Sequence, residues 1–343
     1  MKAAVYYNNK DVRIEERPVP KIGKGEFLLK VEASGICGSD VMEWYRIKKA
    51  PLILGHEIAG TIIETGKGVG RFSVGDRVTV AHHVPCNTCR YCLRGEYSVC
   101  DTLRTTNIDP GGFVEYVRVP AINADRGTFR LPDSVTFEEG TFSEPLGCVV
   151  RGLRTARMEA GKTVLVIGSG ISGLLHIRLA KAQGAGKIIA TDINQYRLDA
   201  AKASGADLAL HAGEDVPKAV RDFLGRPADI VVLSASADKA ILHAIRSVDR
   251  GGCVLFFAPK EPGGVFPMPL FDLWRDNITL VNSYASPPND TAVAIDLIEA
   301  RRVKVTDLIT HRLSLDDAQS GFALVAGAGE SIKVILEPQV KPS

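Results

Sequence analysis

The apolar positions of this chain change their pattern about halfway along. From Met1 to about Asp133 they come in short runs broken by Gly and Pro, among them Phe27 to Val31, Ile58 to Ile63 and Phe113 to Val117. Short runs rich in β-branched and aromatic residues, bounded by turn formers, predict strands, so this part reads as mainly β. From Thr163 to about Ser283 the β-type runs VLVIG, KIIATD, LALH, DIVVLSA, CVLFFA and ITLVN alternate with Ala-rich stretches of helical periodicity. Such alternation predicts an α/β fold with a doubly wound parallel sheet. Between the two parts, Glu144 to Arg157 opens with Pro145 behind a carboxylate and predicts a connecting helix with a cleft beside it. After Pro287, helical patterns near 290–301 and 314–326 precede the strand-like run Ile332 to Leu336, which is expected to rejoin the first part. The expected division is therefore 1–145, 146–285 and a returning segment 286–343, with no internal repeat.

Composition narrows the function classes. A length of 343 residues suits two domains, and 45% hydrophobic with 24% charged residues is ordinary for a globular chain. Lys and Arg total 42 against 40 Asp and Glu, leaving no basic surplus to hold a polyphosphate, so nucleic acid is not an expected partner. The start lacks a basic segment followed by an apolar run, and no apolar stretch is long enough to span a bilayer. A cytoplasmic protein without membrane contact is expected. Four of the seven cysteines fall between 86 and 100; in a large chain without an export signal they read as metal ligands rather than disulfides.

Gly168-Ser169-Gly170-Ile171-Ser172-Gly173 follows the apolar run from Thr163 and opens a helical pattern, the setting a dinucleotide-binding loop requires. The first glycine permits the turn, the second lets backbone approach a pyrophosphate, and the third lets helix and strand pack closely. Asp192, nineteen residues beyond Gly173 at the end of the next strand, can accept hydrogen bonds from ribose hydroxyls and would repel a 2′-phosphate. NAD is thus expected over NADP, with Arg197 close enough to bend that preference.

Cys86, Cys89, Cys92 and Cys100 supply four thiolates in one short segment. Four sulfurs suit tetrahedral zinc with no open position, a site that clips a lobe rather than catalyses. A second, dispersed set consists of Cys37, His56, Glu57 and Glu144. A thiolate, an imidazole and a carboxylate make a three-ligand zinc set that leaves a place for water or substrate. Sequence distance alone does not unite them: each also reads as an ordinary buried or helix-start residue.

Taken together, Gly55-His-Glu-x2-Gly60-x5-Gly66-x2-Val69, Cys37-Gly-Ser-Asp40, the four-cysteine lobe, Ser143-Glu-Pro-Leu146 and the Gly168 loop, in that family's order, resemble the zinc-containing medium-chain dehydrogenases, in their sorbitol and threonine dehydrogenase-like branch. The resemblance covers essentially the whole length. It implies a GroES-like first domain, a Rossmann second domain, and a catalytic zinc in the cleft between them. The ligands it implies are Cys37, His56 and Glu144, with Glu57 ligating directly or exchanging with water and substrate. It implies two zinc ions per chain, a homodimer or homotetramer, and oxidation of a secondary alcohol, a polyol or sugar alcohol, by hydride transfer to NAD.

Ser39 matches the family's hydroxyl that takes the departing proton. Many relatives have a histidine three positions further on, where this chain has Met42, which cannot carry a proton. Trp44, Tyr45, Phe113 and Asn282 to Tyr284 are expected to line the substrate cleft. Two other readings compete. One is an L-threonine 3-dehydrogenase, favoured by His83-x2-Cys86; the other is a non-catalytic, zinc-stabilised nucleotide-binding regulator, which would need the lobe and the glycine loop but not the dispersed set.

Overall fold

The computed structural model describes residues 1–340 and divides into two compact units, Met1–Gly147 with the chain from Ala285 onward, and Cys148–Tyr284. Among the described residues no helix is long and apolar enough to cross a membrane.

The first unit is built on a seven-stranded sheet whose central pair, Phe27–Gly35 and Glu57–Thr65, is antiparallel with Gly35 opposite Glu57. Alternate residues of these strands face one core: Phe27, Leu29 and Val31 meet Ile58, Ile62, Val78, Val80, Val117 and Val119. The strand Lys333–Glu337 pairs antiparallel with the first of them, placing Ile335 opposite Gly35, and parallel with Ile309–Ser314. Three distant stretches of chain therefore meet at one end of the sheet. A second core gathers Tyr6, Ile36, Phe113, Phe322, Val334 and Leu336 under a small sheet in which Lys2–Asn8 lies between Asp11–Glu16 and Leu52–Ile53.

One expected strand is shorter than its hydrophobic run. Only Tyr116–Val119 is strand, because Phe113 bridges two other segments. Its amide donates to the Leu54 carbonyl at 3.0 Å and its carbonyl accepts from the Ala4 amide at 2.9 Å.

The second unit carries the expected doubly wound sheet. Its six strands are all parallel, in the order Leu208–His211, Lys187–Asp192, Thr163–Ile167, Ala228–Leu233, Val248–Phe256, Thr279–Asn282. The inner strands read as continuous apolar runs because helices cover both faces. Strand order reverses beside Thr163–Ile167, the place where such sheets bind ligands at their carboxyl ends.

At the opposite end of this sheet, Asp229 ties the strands together. Its carboxylate accepts from the Thr163 amide at 2.7 Å and hydroxyl at 2.8 Å, and from two Arg226 nitrogens at 2.8 Å each. Arg226 also reaches Asp249 at 3.0 Å. Burial raises the Asp229 carboxyl, but Arg226 and the Thr163 bonds outweigh it and hold it at about 2. A carboxyl depressed in the folded state stabilises fully above its unfolded value near pH 4, and that stabilisation is lost as pH falls toward 2. Asp229→Asn should therefore lower Tm at neutral pH and lose less between about pH 6 and about pH 3 than the unaltered protein does, as read by circular dichroism melts. Parallel pH dependence in the two proteins would rule out this role.

Candidate functional site

The four lobe cysteines lie on a tight chain reversal. A short helical turn, Cys92–Arg94, ends at Gly95 with φ +79°, which turns the backbone so that Cys100 comes back to Cys86. The four sulfurs all lie within 4.8 Å of one another. Cys86 is 3.9 Å from Cys92 and 3.7 Å from Cys100, and Cys89 is 3.5 Å from Cys92. Four sulfurs bound tetrahedrally at the zinc–thiolate distance stand about 3.8 Å apart, whereas a disulfide needs about 2.05 Å. The cluster fits the ion and not a bridge. Amides of Thr88 and Cys89 donate to Cys86 Sγ at 3.5 and 3.3 Å, and the Cys86 amide donates to Cys100 Sγ at 3.5 Å. Bonds from Thr88 pull the Cys86 thiol down to about 5, while burial pushes Cys92 up to about 12. A divalent cation would let all four ionise together.

The dispersed residues are brought together by sheet register. Because Gly35 sits opposite Glu57, Cys37 just beyond one strand lies beside His56 just before the other. Cys37 Sγ, an imidazole nitrogen of His56 and a carboxylate oxygen of Glu57 lie within 4.8 Å of one another. Gly55, at φ +93°, sets the entry of His56: a Cβ there would sit 2.7 Å from the Phe113 ring. The fully buried Asp40 accepts from the Cys37 amide at 3.0 Å and faces His56 Nδ1 at 3.4 Å. Burial pulls His56 down, but the Asp40 carboxylate overcomes this and raises it well above its ordinary value. A carboxylate behind an imidazole orients a metal-binding histidine in this way. Thiolate, imidazole and carboxylate together suit zinc with a place left open.

Lys333 and His82 beside this set carry no signal in the sequence. Glu57 is paired with Lys333, and both are buried; the ammonium also donates to the Ile36 carbonyl at 3.3 Å and lies 5.7 Å from the centre of the Phe142 ring. His82 stacks between His56, at 4.7 Å, and His83, at 3.8 Å. Burial pushes His82 well below its usual value and His83 down to about 4. Glu144 is buried in the first turn of the helix Ser143–Thr155 and lies outside the three-residue set. Phe113 is not a lining residue: it is wholly buried, edge-on to Phe322 at 5.6 Å in the second core. Trp44 and Tyr45 pack on each other at 5.7 Å, with Tyr45 41% exposed.

In the second unit Gly168 turns at φ +92°, and a Cβ on Gly173 would collide with the Gly168 carbonyl, so helix and strand are in contact there. The helix Ile171–Ala182 begins from Gly170, and the free amides of its first turn are a ready anion site. Asp192 accepts from the Ser169 amide at 2.7 Å and the Asn194 amide at 3.0 Å, which joins the loop to the end of the neighbouring strand. Arg197 lies alongside: its Nη1 would be 3.8 Å from a Cβ on Gly170, and its buried Nε has no hydrogen-bond partner among the described residues.

Comparison with known proteins gives this geometry its family. Residues 23–133 match the alcohol dehydrogenase GroES-like domain, and residues 172–300 match the zinc-binding dehydrogenase domain. The chain is 33% identical to a sorbitol dehydrogenase of Gallus gallus, covering 98% of this chain and 96% of the relative. It is 34% identical to an L-threonine 3-dehydrogenase of Bacillus velezensis, covering 98% and 99%. Among solved structures, a zinc-binding dehydrogenase of Sinorhizobium meliloti bound to NADP superposes with a TM-score of 0.88 at 27% identity, covering 98% of this chain and 99% of that one. The chain belongs to the zinc-dependent medium-chain alcohol and polyol dehydrogenases, with a GroES-like domain followed by a Rossmann-like nucleotide-binding domain.

Proposed function

We propose that this dehydrogenase oxidises a secondary alcohol of the polyol or sugar-alcohol class to a ketone, with NAD as hydride acceptor. The observation that carries the reading is the pairing of a closed four-sulfur lobe with a second, mixed donor set of Cys37, His56 and Glu57. A non-catalytic regulator would have use for the lobe and the glycine loop only.

Bound zinc supplies Lewis acidity, which makes an alcohol's proton easier to lose near neutral pH. Cys37 and His56 would hold it, with Glu57 or Glu144 completing the shell, while Cys86, Cys89, Cys92 and Cys100 would hold the structural ion. Asp40 keeps the His56 ring oriented. Ser39, whose hydroxyl is 3.4 Å from Cys37 Sγ, borders the place where substrate oxygen would sit. Gly168, Gly170, Ile171, Ser172 and Gly173 would receive the pyrophosphate, and Asp192 the adenosine ribose. The Asp192 carboxylate favours NAD by repelling a 2′-phosphate, while the Arg197 guanidinium beside Gly170 works in the other direction.

A threonine substrate is the second reading, favoured by the 34% identity to the Bacillus velezensis enzyme. The proposal is of a cytoplasmic enzyme acting on a small molecule, without a nucleic-acid partner, as a homodimer or homotetramer. An apolar edge supports self-association: Leu270, Phe271 and Trp274 are 72%, 66% and 77% exposed, next in sequence to the outermost strand Thr279–Asn282. Light scattering should give a mass of two or four chains.

Reduction of NAD and NADP followed across polyols, short secondary alcohols and threonine should show fastest turnover with a polyol and NAD, abolished by chelation and restored by zinc. Preference for threonine would replace the substrate assignment, and inactivity with every alcohol would reject the function.

Metal analysis should find two zinc ions per chain. Cys92→Ser should leave one, with Tm lower by roughly 5 to 10 °C, since each kcal/mol moves a unit of this size by about 2–4 °C. Two ions retained in that variant would show that the lobe is not a metal site.

A further inference from the structure

Residue 42 offers the Ser39 hydroxyl no onward proton carrier, and the structure shows what faces that hydroxyl instead. The turn Gly38–Val41 leads into a short helix, Glu43–Arg46, whose last residue folds back on the turn. Arg46 Nε donates to the Ser39 carbonyl at 2.9 Å, and Nη2 donates to Ser39 Oγ at 3.1 Å. Nη2 also lies 3.5 Å from Asp40 Oδ1, and the guanidinium covers the Tyr45 ring at 4.6 Å. Only 16% of the side chain is exposed. Lys48 and Lys49, which follow it, point into solvent.

A hydroxyl has one proton and two lone pairs, and a guanidinium offers donors only. Arg46 therefore occupies a lone pair of Ser39 Oγ. The one Ser39 proton is left for the other side, where it points at Cys37 Sγ, 3.4 Å away, a member of the candidate metal set. A hydroxyl held in this way cannot pass a proton outward to Arg46.

We propose that Arg46 is a positioning residue that keeps the Ser39 hydroxyl a hydrogen-bond donor on the side of the candidate metal set, where the reacting oxygen would sit, so that Ser39 steadies that oxygen rather than relaying its proton. The inference rests on the dehydrogenase reading above. In the oxidation the carbon-bound hydrogen leaves as hydride to the nicotinamide, and the hydroxyl proton passes to water. Ser39 keeps its own proton throughout. The neighbouring cation strengthens the hydroxyl as a donor, and with one lone pair held by Arg46 the proton need only turn from Cys37 Sγ to the adjacent substrate oxygen as negative charge develops there. If Arg46 instead only braced the turn through Asp40, its loss would act independently of Ser39.

The test is a double-mutant cycle on the zinc-loaded enzyme with Arg46→Met, Ser39→Ala and the pair, together with Arg46→Lys. Removing a preorganised donor costs about 100-fold or more in kcat, so Arg46→Met should lower kcat by about 10- to 100-fold with little change in KM. It should also raise the acidic limb of the kcat profile by about one pH unit, and Arg46→Lys should restore most of the loss. On the Ser39→Ala background, Arg46→Met should cost no more than about 2-fold, the mark of two residues acting as one unit. Equal losses on both backgrounds, or a loss confined to KM, overturn the proposal.

A second readout does not depend on turnover. In the cobalt-substituted protein without substrate, the thiolate-to-cobalt absorption band should move in both Arg46→Met and Ser39→Ala, with no further movement in the pair. An unmoved band in Arg46→Met overturns the proposal, and so does a variant too unstable to load metal when Arg46→Lys is equally unstable. Failure of the unaltered enzyme on every alcohol would instead reject the dehydrogenase reading, while the cobalt band would still report the Arg46–Ser39 contact.

Discussion

The buried ion pair between Glu57 and Lys333 fixes the end of the sheet on which the candidate metal set is assembled. Neither side chain reaches water, and taking two charges out of water costs several kcal/mol each unless contact and further polar partners repay it. Here the ammonium is also satisfied by the Ile36 carbonyl and faces the Phe142 ring. The pair can meet because residue 35 is glycine: a Cβ there would stand 2.7 Å from Lys333 Cε and collide with the Glu57 carboxylate. The same constraint sets the register, with Gly35 opposite Glu57 on one side and Ile335 on the other. Lys333 thus joins a centre whose Cys37, Asp40, His56 and Glu57 lie within the first 60 positions. The first unit closes only after the chain has passed through residues 148–284 and come back.

That dependence explains which parts were legible in the sequence. The four-sulfur lobe was, because all four cysteines lie within fifteen residues and their sulfurs meet through a local chain reversal. The six β-runs and the glycine loop were as well, since the loop's setting between strand and helix is local. Cys37, His56 and Glu57 could be joined only through several motifs taken together, because what unites them is pairing between strands. Lys333 gave no signal. At the head of a Lys-Val-Ile-Leu strand it reads as a solvated end, and its partner is 276 residues away. Arg46 reads equally plainly as one of a basic surface group with Lys48 and Lys49. The run Phe113 to Val117 is strand only from Tyr116 for a related reason: hydrophobic continuity marks burial, and a buried crossing segment is as apolar as a strand.

The two candidate metal centres also differ in how their donors are held. In the lobe the support is backbone, with amides of Thr88, Cys89 and Cys86 donating to sulfur, so the donors are fixed by the same short loop that carries them. Closing so short a loop costs little entropy, and from outside it Arg126 adds a bond to the Cys86 carbonyl at 2.7 Å. In the second centre the support is side chain. Asp40 sits behind His56, Ser39 donates to Cys37, and Arg46 reaches both Asp40 and Ser39. Two donors of different chemistry are therefore oriented by one ten-residue turn, Cys37 to Arg46, with a single cation at its branch point. Partners one step removed from a metal set the direction of its ligands. Here that step is encoded locally, whereas the contact between the donors themselves is encoded across the sheet. The turn sets the direction of Ser39 and His56, and the sheet, pinned by Glu57 and Lys333, keeps the donors together.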